Sequence, residues 1–233
     1  LVVYANMGAA AGMDLAPKLI TASLMAAPGA LVIAKIVWPE TQESETMGTV
    51  KLEYEDPSIN VIEAASNGAS VGLQLALNVG TMLIAFMALI AMANGWLHLV
   101  LGWFGFPGSG LEQILGWAFS PLAWVMGVPW SDCVFIGQLM GEKTVLNEFV
   151  AYSHLGQFVQ THGVNAIQYR SFVIATYALC GFSNFLSIGI QIGGIGAIAP
   201  GRKQDLARLG IRALIGGSLA SFMTATIAGI LVP

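Results

Sequence analysis

Between Glu63 and Glu112 lie 48 consecutive residues without a single Asp, Glu, Lys or Arg, and this run constrains the fold more than any other feature. An ordinary soluble domain is about 25% charged. This chain of 233 residues is 9% charged and 56% hydrophobic, with a mean hydropathy of +0.73. Further uncharged stretches cover residues 19–34, 113–131, 149–169, 171–201 and 213–233. A membrane span needs roughly 20 mostly apolar residues, so the expected class is an all-α polytopic membrane protein whose first partner is the lipid bilayer. A formal net charge of −4 supplies no basic field for nucleic acid, which is excluded as a partner. Cys133 and Cys180, 47 residues apart in apolar surroundings, form neither a disulfide framework nor a metal spacing and read as small buried hydrophobes.

Leu1 opens into Val-Val-Tyr without a basic segment or cleavage pattern, so no signal peptide is expected. Residues 1–13 read as the end of a truncated transmembrane helix. Asp14, Pro17 and Lys18 mark a helix start, and residues 14–38 are expected to span the membrane with a kink at Pro28. Residues 39–56 are expected to form an acidic cytoplasmic loop, residues 40–63 holding seven of the thirteen acids. Asp56 as cap with Pro57 behind it is expected to open an interfacial helix over 57–72. Residues 73–104 then form one long tilted span, its far end marked by Trp96, Trp103 and Phe104.

From 111 to 160 the pattern changes. Pro121 and Pro129, several glycines and a polar cluster at Gly141-Glu142-Lys143-Thr144 and Asn147-Glu148 lie between apolar arms too short to cross. This is the expectation for a re-entrant helical hairpin whose non-helical residues line a cavity. The segment 166–200 is read as a broken transmembrane helix, with Ser183, Asn184 and Ser187 central and four glycines after them. Arg202, Lys203, Arg208 and Arg212 make 201–212 a basic loop, cytoplasmic by the excess of Lys and Arg on that side of the membrane, and 213–232 is the last span, ending outside.

Glu148 is the strongest candidate for a functional group, because a carboxylate at membrane depth costs several kcal/mol unless it is paired, bonded or hydrated. With Asn147 as cap, Glu148 falls in the first turn of the second arm, where free N–H groups favour its ionised form. An ionised carboxylate can accept two hydroxyls at once, as a sugar diol offers. The bland alternative is a structural pair with Lys143. Asn184 and Ser187, three apart, share one helix face in a regular helix, whereas Phe182 joins them only if the helix unwinds near 181–183. Two lookalikes fail: the Gly-rich run at 194–196 leads into Pro200 rather than opening a helix, and His154 with His162 has no metal spacing. No metal site is expected within the chain.

At the hairpin the sequence resembles a known family. Gly141-Glu142-Lys143-Thr144-Val145-Leu146-Asn147-Glu148-Phe149-Val150-Ala151-Tyr152 matches, at every defined position, the Gly-x-Lys-x-x-x-Asn-Glu-Phe-Val-Ala signature of concentrative nucleoside transporters. Gly181-Phe182-Ser183-Asn184-Phe185-Leu186-Ser187-Ile188 is similar to the family's seventh span, and Ala22 to Pro28 to its fifth. The resemblance implies an elevator-type transporter fold, incomplete at the N-terminus, beginning within the fourth span. It implies ribose binding by Glu148, Asn184 and Ser187, with Phe182 beside the nucleoside and Asn147, Lys143 and Thr144 supporting the hairpin tip. It also implies no cofactor, a coupling ion, Na+ or H+, bound mainly by the N-terminal portion, a homotrimer with the long span in its core, and a bacterial inner (plasma) membrane. The function so implied is ion-coupled nucleoside import. The alternatives are another elevator-type solute transporter, an intramembrane enzyme using Glu148 with Asp132 or His154, and a channel.

Overall fold

The computed structural model describes residues 14–41, 59–105, 110–163 and 165–232, and every regular element among them is helical. In chain order these are α1 (Ala16–Val37), α2 (Val61–Trp103), α3 (Leu111–Val125), α4 (Trp130–Val145), α5 (Glu148–His162), α6 (Tyr169–Leu179), α7 (Phe185–Ile198), a 3-10 turn (Pro200–Arg202) and α8 (Lys203–Ile230). By length and composition, α1 and the helical stretch Pro200–Ile230 are each apolar enough to cross a membrane.

Local chemistry accounts for most boundaries. Pro17 sits in the first turn of α1, where its missing N–H costs nothing. Pro28 lies inside that helix, which continues to Val37. Asn60 caps α2 by accepting from the Glu63 N–H at 2.9 Å, and the Glu63 carboxylate reaches back past the cap to accept from the Ile59 N–H at 2.8 Å. The expected start at Asp56-Pro57 lies outside the described residues, as do residues 1–13 and most of the acidic loop. The interfacial part and the long span read as its continuation lie on one unbroken helix of 43 residues, Val61–Trp103, about 64 Å long at 1.5 Å per residue. The hairpin region holds three helices rather than two arms, because Gly127, at φ 97°, turns the chain in the left-handed region ahead of Pro129, which opens α4.

The basic segment 201–212 differs most from expectation. Only Pro200–Arg202 forms a turn, and the helix begins at Lys203. Arg202 pairs with Asp205 across that start, and Arg212 lies over the Trp38 ring, 4.0 Å from its centre. A guanidinium that stacks on an aromatic face needs no loop to reach water.

The core gathers side chains of α1, α3, α4, α5, α6 and α8, among them Leu19, Ala123, Ile136, Leu155, Ile174 and Phe222. By contrast α2 stands mostly exposed, touching α7 and, lightly, α3. Helices α3 and α4 meet closest, at glycines: a Cβ on Gly137 would stand 2.5 Å from the Gly116 carbonyl oxygen and 2.9 Å from the Ser120 nitrogen. Small residues at such a contact let backbones approach. Gly137→Leu in the full-length protein is therefore expected to destabilise it by about 1–3 kcal/mol. Gly68→Ala, with nothing within 4 Å of the added carbon, should be neutral or slightly stabilising. Thermal unfolding in detergent of both variants beside the wild type checks this.

Candidate functional site

Two helix interruptions build the site. The first is the two-residue link between α4 and α5. Asn147 takes an extended backbone, φ −166° and ψ 170°, and its side chain accepts from the Val150 N–H at 2.9 Å. Glu148 is thereby placed at the first position of α5, 4% exposed, against the positive end of the helix.

The second interruption separates α6 from α7 over residues 180–184. A helix that stops inside a protein leaves carbonyls without partners, and here side chains of the hairpin take them. Cys180 N–H bonds back to the Tyr177 carbonyl, three residues away. The Thr176 carbonyl accepts from the Tyr152 hydroxyl at 2.6 Å, and the Ala178 carbonyl from Lys143 Nζ at 3.1 Å. Lys143 is fully buried. Its ammonium also donates to Ser183 Oγ at 3.0 Å and stands 5.3 Å from the centre of the Phe222 ring. A buried charge persists only with such partners.

On the far side of the break Asn184 caps α7, with φ −144° and ψ 168°. Its side-chain oxygen accepts from the Ser187 N–H at 2.7 Å, and the Ser187 hydroxyl lies 2.6 Å from the Asn184 carbonyl and 3.2 Å from its N–H. The expected shared helix face is thus corrected: Asn184 stands outside the helix, and the two residues meet as a cap and its third position. The remaining amide nitrogen of Asn184, a residue 3% exposed, donates to Glu148 Oε2 at 3.2 Å. The two interruptions therefore face each other, joined by that bond.

The other expected residues fall into two groups. Phe182 lies in the unwound segment, 68% exposed, and with Ser187 and Gln191 lines a cleft of about 550 Å³ between α1, α7 and α8. Glu148 and Asn184 are not part of that lining. Thr144 is buried and its hydroxyl bonds to the Met140 carbonyl one turn back, at 2.8 Å. Sequence reasoning overlooked Tyr152 and Ser183 as partners of the break. Tyr152 was detectable, since it lies four residues after Glu148 and so shares its helix face; Ser183 was noted as a central polar residue of the broken span, but nothing in the sequence paired it with Lys143.

Asp132 accepts from the Ser171 hydroxyl at 2.5 Å and from the Gln168 N–H at 3.1 Å. It ties the start of α4 to the start of α6, at the other end of α4 from the Glu148 link. His154 pairs with Glu142. Neither converges with Glu148 as an acid or base would have to. Among the described residues no cluster of three or more His, Cys, Asp and Glu could hold a metal.

The family described as "Na+ dependent nucleoside transporter C-terminus" matches residues 18–229. The chain is 45% identical over 214 residues to the putative nucleoside permease NupX of Escherichia coli, covering 92% of this chain and 51% of that protein. It is 41% identical over 236 residues to the sodium/nucleoside cotransporter 1 of Rattus norvegicus, covering 94% and 36%. Among solved structures it superposes on an outward-facing double variant of CNTnw with a TM-score of 0.83 and 45% identity, over 99% of this chain and 53% of that one. CNTnw in an inward-facing substrate-bound state gives 0.71 and 48%, over 92% and 50%. The chain spans about half the length of its bacterial relatives. These relatives are transporters, which replaces the enzymatic alternative. The chain belongs to the sodium-dependent nucleoside transporter family, in the region of its C-terminal part.

Proposed function

We propose that this chain forms part of an ion-coupled symporter that imports nucleosides across a bacterial plasma membrane, with Glu148, Asn184 and Ser187 receiving the ribose. The observation that carries this reading is the Glu148–Asn184 bond at 3.2 Å, which sets a carboxylate and an amide side by side at two helix starts. A carboxylate accepts from a diol while an amide both donates and accepts, the complement of vicinal hydroxyls. Opening the bond between them would expose both groups to a sugar, so substrate would replace an internal partner rather than enter a vacant pocket. Phe182, exposed in the unwound segment, is assigned to the base.

In this reading the hairpin α4–α5 and the broken pair α6–α7 move together as the carrying element, and α2 belongs to a stationary scaffold at the centre of a homotrimer. The loop before α8 faces the cytoplasm and the chain's end faces out. Na+ or H+ drives the cycle from residues that lie largely in the N-terminal portion of the full-length protein. A bound cation and a bound nucleoside favour the same loaded state, which couples their movement.

The test is labelled uridine uptake into proteoliposomes holding the full-length protein, under a sodium gradient, a proton gradient or neither. Glu148→Gln should lower gradient-driven uptake by about tenfold or more, since a hydrogen bond to a charged group contributes about 1.5–3 kcal/mol. Wild-type uptake by a correctly inserted Glu148→Gln protein would remove Glu148 from the site. Phe182→Ala is expected to raise the KM with a smaller change in maximal rate, as contact between a base and an aromatic ring contributes about 1–3 kcal/mol. KM values unchanged across purine and pyrimidine nucleosides would free Phe182 from that role.

A further inference from the structure

A second polar concavity lies apart from Glu148 and Asn184. It measures about 450 Å³ and is bounded by α2, α3, α4 and α5, with Asn94, His98, Gln113 and Gln157 in its lining. Its wall also holds Glu142 of α4 and His154 of α5. Nδ1 of His154 stands 2.9 Å and 3.0 Å from the two oxygens of the Glu142 carboxylate, and Gln138 Nε2 donates to the same carboxylate at 3.1 Å. The carboxylate side chain is 9% exposed and the imidazole 38%. The pair thus combines a covered acid with a base that water in the chamber can reach.

Around the pair, aromatic rings fasten the same two helices. Phe135 of α4 meets His154 edge-on with centres 5.7 Å apart, stacks on Phe158 of α5 at 4.2 Å, and Phe158 stacks on His162 at 4.5 Å. Beside these rings and the apolar packing of the core, the Glu142–His154 pair is a tie between α4 and α5 that can change its charge.

We propose that Glu142 and His154 form a proton-binding site that pins α4 to α5 when occupied. With Nδ1–H already donated to the carboxylate, the free position is Nε2, and a proton arriving there from water in the chamber makes the ring an imidazolium beside a carboxylate. A neutral hydrogen bond becomes a charge-assisted one, stronger by about twofold, and its loss returns the proton to the same water. Among the described residues the other titratable lining group is His98, on α2, and α3 contributes the neutral Gln113. Lys143 is engaged with α6 and the break, and Glu148, six residues before His154, points about 120° away around α5. Pinning holds the two arms of the hairpin in one relation. The consequence for transport rests on the function proposed above: uptake slows when the site is filled.

The experiment compares thermal unfolding of the full-length protein in detergent at pH 5.5 and pH 8 for wild type, His154→Gln, Glu142→Gln and His98→Gln. The imidazolium–carboxylate attraction stabilises at acid pH and fades as the ring deprotonates, so the gap in Tm between wild type and His154→Gln should be wider at pH 5.5, by about 2–4 °C. Glu142→Gln should show the same widening, and His98→Gln should not. A gap that does not change with pH for His154→Gln and Glu142→Gln, or one that changes only for His98→Gln, overturns the proposal. Nucleoside uptake with equal pH on both sides should be slower in wild type at pH 5.5 and lose that dependence in His154→Gln; an identical pH profile in the two overturns the pinning. The unfolding measurement needs no transport, so a wild type that carries no nucleoside yet shows the thermal pattern upholds the proton site and refutes the transport reading instead.

Discussion

The ammonium of Lys143 is the contact on which the architecture turns. A fully buried lysine in an apolar helical protein is tolerable only where fixed acceptors replace water, and a helix that continued through residues 180–184 would offer none, since its carbonyls would all be used internally. The interruption after Leu179 and the burial of Lys143 therefore require each other. Broken, α6 presents the negative end of its dipole and the Ala178 carbonyl; occupied by Lys143, that carbonyl no longer needs the next turn of helix. Tyr152 does the same for Thr176. Both donors come from the segment around the α4–α5 link, so the hairpin and the broken helix are specified together.

The complementary charge obeys the same rule at the opposite helix polarity. Glu148 lies at the start of α5 and contacts the residue that caps α7. Two N-terminal helix ends, each the positive end of its dipole, converge on one carboxylate, while a C-terminal end receives the lysine. Charges that would be prohibitive in a continuous apolar bundle are carried here by helix ends, and the ends exist only because two helices stop short. The same economy gives the site its chemistry: the groups that hold the ends together are polar, directional and exchangeable, unlike the apolar contacts elsewhere.

How much of this was legible in the sequence follows from which signals are local. The Asn147 cap and the place of Glu148 could be read from a few residues, because capping depends on side chains within one turn. The break at 180–184 was legible as a broken span over 166–200, and its place near 181–183 followed from the demand that Phe182 and Asn184 meet. Asn184 and Ser187 were misread as a stripe, since a cap and its third residue have the same spacing as two neighbours on a helix face. The basic segment 201–212 was misread as a loop because exposure was taken for irregular backbone: its four basic residues are exposed, yet from Lys203 on they stand on a helix, and Arg212 finds the Trp38 ring from within α8, a tertiary contact across 174 residues of sequence that no local pattern announces. By contrast the continuity of α2 across the change of composition near residue 72 was legible, since a change from mixed to apolar side chains does not interrupt a helix. Tyr152 and Ser183 depend on where α6 ends, so their roles appear only with the fold.

Directional and non-directional contacts are also distributed unevenly among the elements. The hairpin, α6 and the break are joined by bonds with fixed partners: Asp132 to Ser171, Lys143 to Ala178, Tyr152 to Thr176, Glu148 to Asn184. Each must be broken before these parts can separate, and in apolar surroundings a broken bond leaves both groups unsatisfied. The buried contact of α2 with this unit is instead a small apolar cluster of Ile90 with Val145 and Leu186. Apolar contact has no preferred partner and is proportional to covered area, so one such surface can slide along another while keeping much of its stabilisation. At Ile90, therefore, α2 can exchange one apolar contact for another, while Asn94 Oδ1 holds it by one directional bond to the Leu111 N–H at the start of α3, at 2.9 Å; separation through the hairpin would instead strand a lysine and a glutamate away from water.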